Sequence, residues 1–161
     1  MDTKNNPAGL NRKAYLGKLA LDLVHLSSEQ VLAVYAERGL LIPVEASSTL
    51  SYLNQHDNSA LSNIGAALEI PHQLAAQRVS KLMQLGLLKK RPDKNDGRRS
   101  VLELSKLGKQ QAEILLQCME DMAVIYEQIY REIECDLPAK LQSAIDALKN
   151  KNLLTRFTEN F

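Results

Sequence analysis

Apolar residues recur at helical spacing almost from the start of the chain. Leu16, Leu19, Ala20, Leu23 and Leu26 lie three or four apart, which predicts an amphipathic helix. Ser27-Ser-Glu-Gln30 has the form of a capping box, so either a second helix starts there or the first one bends. Val31, Leu32, Val34 and Tyr35 carry the stripe on to Arg38, and Gly39 suits the position just past a helix end. Pro43 suits the first turn of a further helix, expected to reach about His56 and to bury Ala46, Leu50 and Leu53. Asp57-Asn58 signals a turn. A short helix follows over 61–68, with Ile64, Ala67 and Leu68 on one side. Glu69-Ile70 is a tight turn, and Pro71 can open the next helix without losing a needed N–H. That helix runs to Leu85, turns Ala75, Val79 and Leu82 inward, and stops at Gly86. Two short helices so closely joined form a helix-turn-helix.

Beyond Gly86 the period changes. Leu87 to Arg91 and Ser100 to Leu104 read as antiparallel strands, joined by the polar, turn-rich stretch from Pro92 to Arg99. Ser105 caps a long helix in which Leu115, Cys118, Met122, Ile125, Ile129 and Ile133 form a narrow stripe. Such a stripe resembles a coiled-coil seam more than a broad core face, which favours a partner helix and a homodimer. Asp136-Leu-Pro138 breaks the helix. Another starts at Ala139 with Leu141, Ile145 and Leu148 aligned, and Leu153, Leu154, Phe157 and Phe161 give the tail an apolar face suited to docking. The expected fold is mainly α with a small β-hairpin wing (α+β). A winged helix-turn-helix over 43–104 is flanked by helical dimerisation segments at 11–40 and 105–161, with a loose leader over 1–10.

Composition narrows the function. With 161 residues and 45% hydrophobic content, the chain is globular rather than disordered. It has no apolar run of about 18 residues or more, so no membrane span is expected. The start of the chain lacks the apolar core of a signal peptide, and the two cysteines do not form a metal-type pair. A reduced cytoplasmic setting is the simplest expectation. Net charge is only +1, yet nine basic and three acidic residues fall between Arg78 and Lys106. Positive charge gathered on a helix and a hairpin is the electrostatic footprint of a polyanion partner. No phosphate-cradling glycine loop, nucleophile elbow or zinc-spaced histidine set is present, and no cofactor is expected. Nor is an enzymatic activity.

The hairpin and its exit carry the most specific motif. Asp96, Arg98, Leu102, Leu104, Ser105 and Gly108 fit Asp-x-Arg-x-x-x-Leu-x-Leu-Ser/Thr-x-x-Gly. With Leu68-Glu-Ile-Pro71, Lys81-Leu82 and Gly86-Leu-Leu88, they resemble the winged helix-turn-helix of MarR-type transcriptional regulators. The helical flanks resemble that family's dimerisation helices, so the likeness spans nearly the whole chain. It implies a bacterial or archaeal homodimer on pseudo-palindromic double-stranded DNA. Members usually repress transcription and often release DNA in response to a small molecule, commonly phenolic. A small aromatic effector is therefore a candidate partner. A winged-helix module that binds protein instead of DNA is the alternative.

Residue roles follow from position. The second helix of the pair enters the major groove, and its outward positions are His72, Gln73, Ala76, Gln77, Ser80 and Lys81. Gln73 and Gln77 are expected to contact base edges, and His72 and Lys81 mostly phosphate. Arg78 sits at the edge of the buried stripe, within reach of either the DNA backbone or an internal carboxylate. Relatives often carry Ser or Thr where this chain has Pro71, Leu74 and Ala76, so its sequence preference leans more on thymine methyls and DNA shape. The resemblance places Arg98 in the minor groove, with Asp96 bracing it and Gly97 forming the turn. Lys90, Arg91, Lys94 and Arg99 are expected phosphate clamps. Redox-sensing relatives carry a reactive cysteine near the start of the first helix, and none is there. Cys118 lies in the apolar stripe, and Cys135 has acidic neighbours, a poor setting for a reactive thiolate. Tyr15, His25, Tyr35, Tyr52 and His56 fall on helices that could border an effector pocket, although each is more simply explained as core or rim.

Overall fold

The computed structural model describes residues 9, 11, 13–93 and 100–161. The first helix, α1 (Leu16–Glu37), is continuous. Ser27 does not open a new helix, because its hydroxyl donates to the Val24 carbonyl one turn back at 3.2 Å. α1 ends as Gly39 predicts. Gly39 takes φ 67°, its N–H reaches the Ala36 carbonyl (3.2 Å), and the Leu40 N–H reaches the Tyr35 carbonyl (2.8 Å). Only Val31 and Tyr35 of this helix are buried.

Pro43 stays extended, and the chain makes one 3-10 turn (Val44–Ala46) before α2 (Ser47–Gln55). The Ser47 hydroxyl explains the tight turn. It donates to the Val44 carbonyl at 2.7 Å and lies 2.7 Å from the Tyr35 hydroxyl. Ala46, Leu50 and Leu53 are buried as their spacing predicts. α3 (Leu61–Ala67) departs from expectation on one point. Ala67 is exposed, and Gly65 takes the buried place instead. A Cβ on Gly65 would sit 3.4 Å from the Ile70 carbonyl oxygen and 3.9 Å from the Ala75 Cβ, so its bareness lets α3 approach α4 closely.

α4 (His72–Gln84) turns Ala75, Val79 and Leu82 into the core. Gly86, at φ 71°, then permits a closure that a side chain would resist: Leu87 N–H to the Leu82 carbonyl (2.9 Å) and Gly86 N–H to the Met83 carbonyl (2.9 Å). The chain passes into β1 (Leu88–Pro92), antiparallel to β2 (Ser100–Leu104), with Leu88 opposite Leu104 and Lys90 opposite Leu102. Ser59 adds a single bridge beside Leu102, accepting its N–H at 2.9 Å.

The exit from β2 is a lock. The Ser105 N–H donates to the Leu87 carbonyl (2.9 Å), and its hydroxyl donates to the Gly86 carbonyl (2.7 Å). The same hydroxyl accepts the Gly108 N–H (2.9 Å), capping the first turn of α5 (Lys106–Glu132). Any Cβ on Gly108 would fall 2.0 Å from the Leu87 oxygen. The glycine of the motif is thus the only residue that lets α5 start against the end of α4. One turn on, the buried Gln111 accepts the Leu41 N–H (2.7 Å) and donates to the Gly39 carbonyl (3.1 Å), satisfying the backbone between α1 and α2.

Contacts divide the chain into two compact units, residues 1–118 and 119–161. The first holds a core with Leu50, Leu53, Ile64, Leu82, Leu87 and Leu115 fully buried. Each such side chain contributes about 1.5–3 kcal/mol. The second contains the end of α5, α6 (Leu137–Asn150) and α7 (Leu153–Asn160). Asp136 caps α6 by accepting the Ala139 N–H (3.1 Å), so the helix starts two residues before the expected Ala139. Asn152 caps α7, and Arg156 donates to the carbonyls of Ala147 (2.8 Å) and Lys151 (2.9 Å). Neither α6 nor α7 has a buried residue.

Candidate nucleic-acid interface

The exposed face of α4 is polar and uncommitted. His72, Gln73, Gln77, Ser80 and Lys81 are all exposed, while Ala76 is half-buried. Because Ala75, Val79 and Leu82 hold the inner side, Gln73, Gln77 and Ser80 fall on the opposite side, one per turn. Gln84 continues that row and is exposed as well. Its spacing of seven from Gln77 marks it as a member of the same face. His72 lies nearer the buried side at the first turn, where α4 leaves N–H groups without intrahelical partners.

The hairpin brings one expected clamp to this helix and commits another elsewhere. Lys90 shares a cleft of about 320 Å³ with Ala76, Ser80 and Met83 of α4 and with Ser100 of β2. Lys90 therefore lies beside Ser80, a member of the outward row of α4. Neither Lys89 nor Lys90 is engaged in a hydrogen bond or ion pair among the described residues, so both charges are open to an anion. Arg91, expected to be a clamp, is half-buried and differently occupied. Its Nε lies 2.7 Å from Glu103 Oε2, and its Nη2 donates to Asn58 Oδ1. These contacts tie the hairpin to the α2–α3 turn and compete with any phosphate for the guanidinium. Among the described residues Arg78 meets no internal carboxylate; its Nη1 donates to the Ser48 hydroxyl at 3.4 Å. Lys94, Asp96, Arg98 and Arg99, the expected wing tip, lie outside the described residues.

The remaining candidates separate cleanly. Tyr35 is 2% exposed with its hydroxyl against Ser47, so it is a core residue. Tyr52 and His56 stack on each other at the end of α2, with ring centroids 4.5 Å apart. Tyr15 and His25 are exposed. Cys118 is buried, and Cys135 is half-buried at the α5–α6 corner among Glu127, Glu134 and Asp136. At that corner burial, then Tyr126, Asp136 and Glu127, hold the Tyr130 hydroxyl above its ordinary value of 10.0, so the phenol stays protonated near neutrality. No cluster that could hold a metal ion is present among the described residues, and no helix there is long and apolar enough to cross a membrane.

Residues 39–99 match the sequence profile of the MarR family. No curated protein sequence matches the chain. Among solved structures, it is similar to the PcaV transcriptional regulator of Streptomyces coelicolor, solved with its natural ligand. Identity is 21%, coverage is 89% of this chain and 98% of that one, and the TM-score is 0.64. A MarR family regulator from Neisseria meningitidis shares 18% identity, covering 94% and 100% of the two chains at a TM-score of 0.59. BldR, a transcriptional regulator from Sulfolobus solfataricus, shares 16% identity over 88% and 98%, also at 0.59. At these identities the likeness is one of fold: helices around a two-stranded wing.

Proposed function

We propose that this chain, a MarR-type winged-helix protein, is a sequence-specific regulator of transcription that binds double-stranded DNA. It acts as a homodimer on a pseudo-palindromic operator, as a repressor that responds to a small molecule. The carrying observation is the exposed polar row of α4, Gln73, Gln77 and Ser80, with Lys90 of the hairpin beside Ser80. Glutamine can make bidentate contacts with adenine in the major groove, and a flanking lysine can hold phosphate. Dimerisation draws support from apolar side chains left uncovered within a single chain. Leu16, Leu19, Leu23 and Leu26 of α1, and Ile125, Ile129 and Ile133 at the end of α5, are all at least 40% exposed. Contiguous apolar faces of this kind mark association surfaces. Effector response rests on the family resemblance and on PcaV having been solved with its natural ligand.

DNA binding is tested by isotherms against selected genomic fragments at several salt concentrations. Six to ten phosphate contacts predict a loss of about 10³–10⁵-fold in affinity between 50 and 200 mM salt. Arg98→Ala is expected to weaken binding strongly while the dimer persists. Salt-independent or absent binding would instead favour a protein-binding winged helix.

A further inference from the structure

Alternation along β1 sends neighbouring basic side chains to opposite faces of the hairpin. Lys90, with Leu102 across the ladder, faces the cleft beside α4. Arg91 faces the other way, toward the turn between α2 and α3. Its guanidinium is engaged along two edges at once. Nε lies 2.7 Å from Glu103 Oε2 and is closed off from solvent, and Nη2 donates to Asn58 Oδ1. Lys89 stands directly opposite Glu103 in the register, yet the carboxylate pairs with Arg91. A planar fork meets two acceptors in fixed directions, which the point charge of an ammonium does not. Asn58 is itself set locally. Its backbone takes φ 61°, a left-handed conformation that asparagine tolerates, and its N–H donates to Asp57 Oδ1 at 3.0 Å.

The place of these contacts in the hairpin gives them leverage. A two-stranded hairpin is marginal by itself. Ser105 pins its root to Leu87 and Gly86, and the Ser59 bridge holds its middle at Leu102. Arg91, paired with Val101 one step from the last rung, holds the far half. We propose that Arg91, Glu103 and Asn58 form a brace that sets the angle of the wing against the helix-turn-helix, and that Arg91 is a positioning residue for DNA instead of a phosphate contact. With Glu103 against it, the guanidinium charge is already compensated, so it adds little to the counterions released by DNA. The consequence for DNA rests on the function proposed above; the brace itself does not.

Two adjacent residues supply the test. In DNA isotherms at several salt concentrations, Lys90→Met should flatten the slope of log affinity against log salt by about 0.9. Arg91→Met should leave that slope unchanged and lower affinity about tenfold, a loss of the size of one mismatched base pair. Arg91→Lys should fail in the same way, because it keeps the charge and loses the fork. Asn58→Gly, which keeps the left-handed backbone and removes the acceptor, should also lower affinity with no change of slope. The proposal is overturned if Arg91→Met flattens the slope as Lys90→Met does, or if Arg91→Lys binds DNA as well as the parent. The brace is also read without DNA, by NMR of the full chain. The Arg91 Nε–H should exchange slowly with solvent, and Asn58→Gly or Glu103→Gln should speed it about tenfold or more. Fast exchange in the parent overturns the brace. Lack of salt-dependent DNA binding by the parent removes the regulator reading, while the exchange rates still decide the brace.

Discussion

The two units of the chain are stabilised in opposite ways. In residues 1–118, helix ends are closed onto one another and onto a core. Gly86, Leu87, Ser105 and Gly108 share three backbone or hydroxyl bonds, and Gln111 satisfies the 39–41 backbone from inside. In residues 119–161 the helices are equally well capped, by Asp136, Asn152 and Arg156, but little is enclosed. Leu154 is 72% exposed and Phe161 96%, whereas Leu115 is fully buried. Caps set where a helix begins and ends; only burial gives it a reason to persist. The first unit therefore has a core of its own, and the second leaves its apolar faces uncovered within the single chain.

The sharpest way to break this contrast is Gly108→Ala. The added Cβ would collide with the Leu87 oxygen, and we expect the first unit to lose about 3 kcal/mol or more, read as a lower denaturant midpoint. A near-neutral result would mean that α5 does not start against the end of α4. Next comes the paired change Leu153→Asp with Phe157→Asp, which charges the uncovered face of α7. At about 1.5–3 kcal/mol for each apolar side chain that association buries, the dimer dissociation constant should rise at least 100-fold by sedimentation, with the melting of the first unit unchanged. Equal destabilisation of both units would erase the distinction. The smallest effect is expected from Ser105→Ala, which removes a cap and a bond to the Gly86 carbonyl. About 1–2 kcal/mol should be lost in thermal melts, with DNA specificity intact.

What could be read from sequence was whatever repeats at short range. Ala75, Val79 and Leu82 announce the buried side of α4, and Gly39 and Gly86 mark the ends of α1 and α4, because periodicity and handedness are local properties. Local pattern does not identify a residue that answers to something far along the chain. Gln111 has the polarity of a surface residue, but its partners lie 70 and 72 residues away. Arg91 looked like a free clamp because Asn58, 33 residues upstream, is invisible to any local pattern. Ala67 was favoured over Gly65 because hydrophobicity scales give no credit to the absence of a side chain. In the candidate interface, the outward row of α4 was legible from the inward one, while the setting of Lys90 beside Ser80 required the fold.

The pinning of Gly86 to Ser105 has a consequence for how such a protein can change. The chain between those two residues leaves and returns to a fixed point, so its ends are held whatever lies at its tip. Doubling a loop held in this way costs only about 0.6 kcal/mol in closure entropy. Residues between Pro92 and Ser100 can thus be lengthened, recharged or exchanged with small effect on folding. Under the function proposed above, substitutions there would change DNA preference while leaving α4 in place.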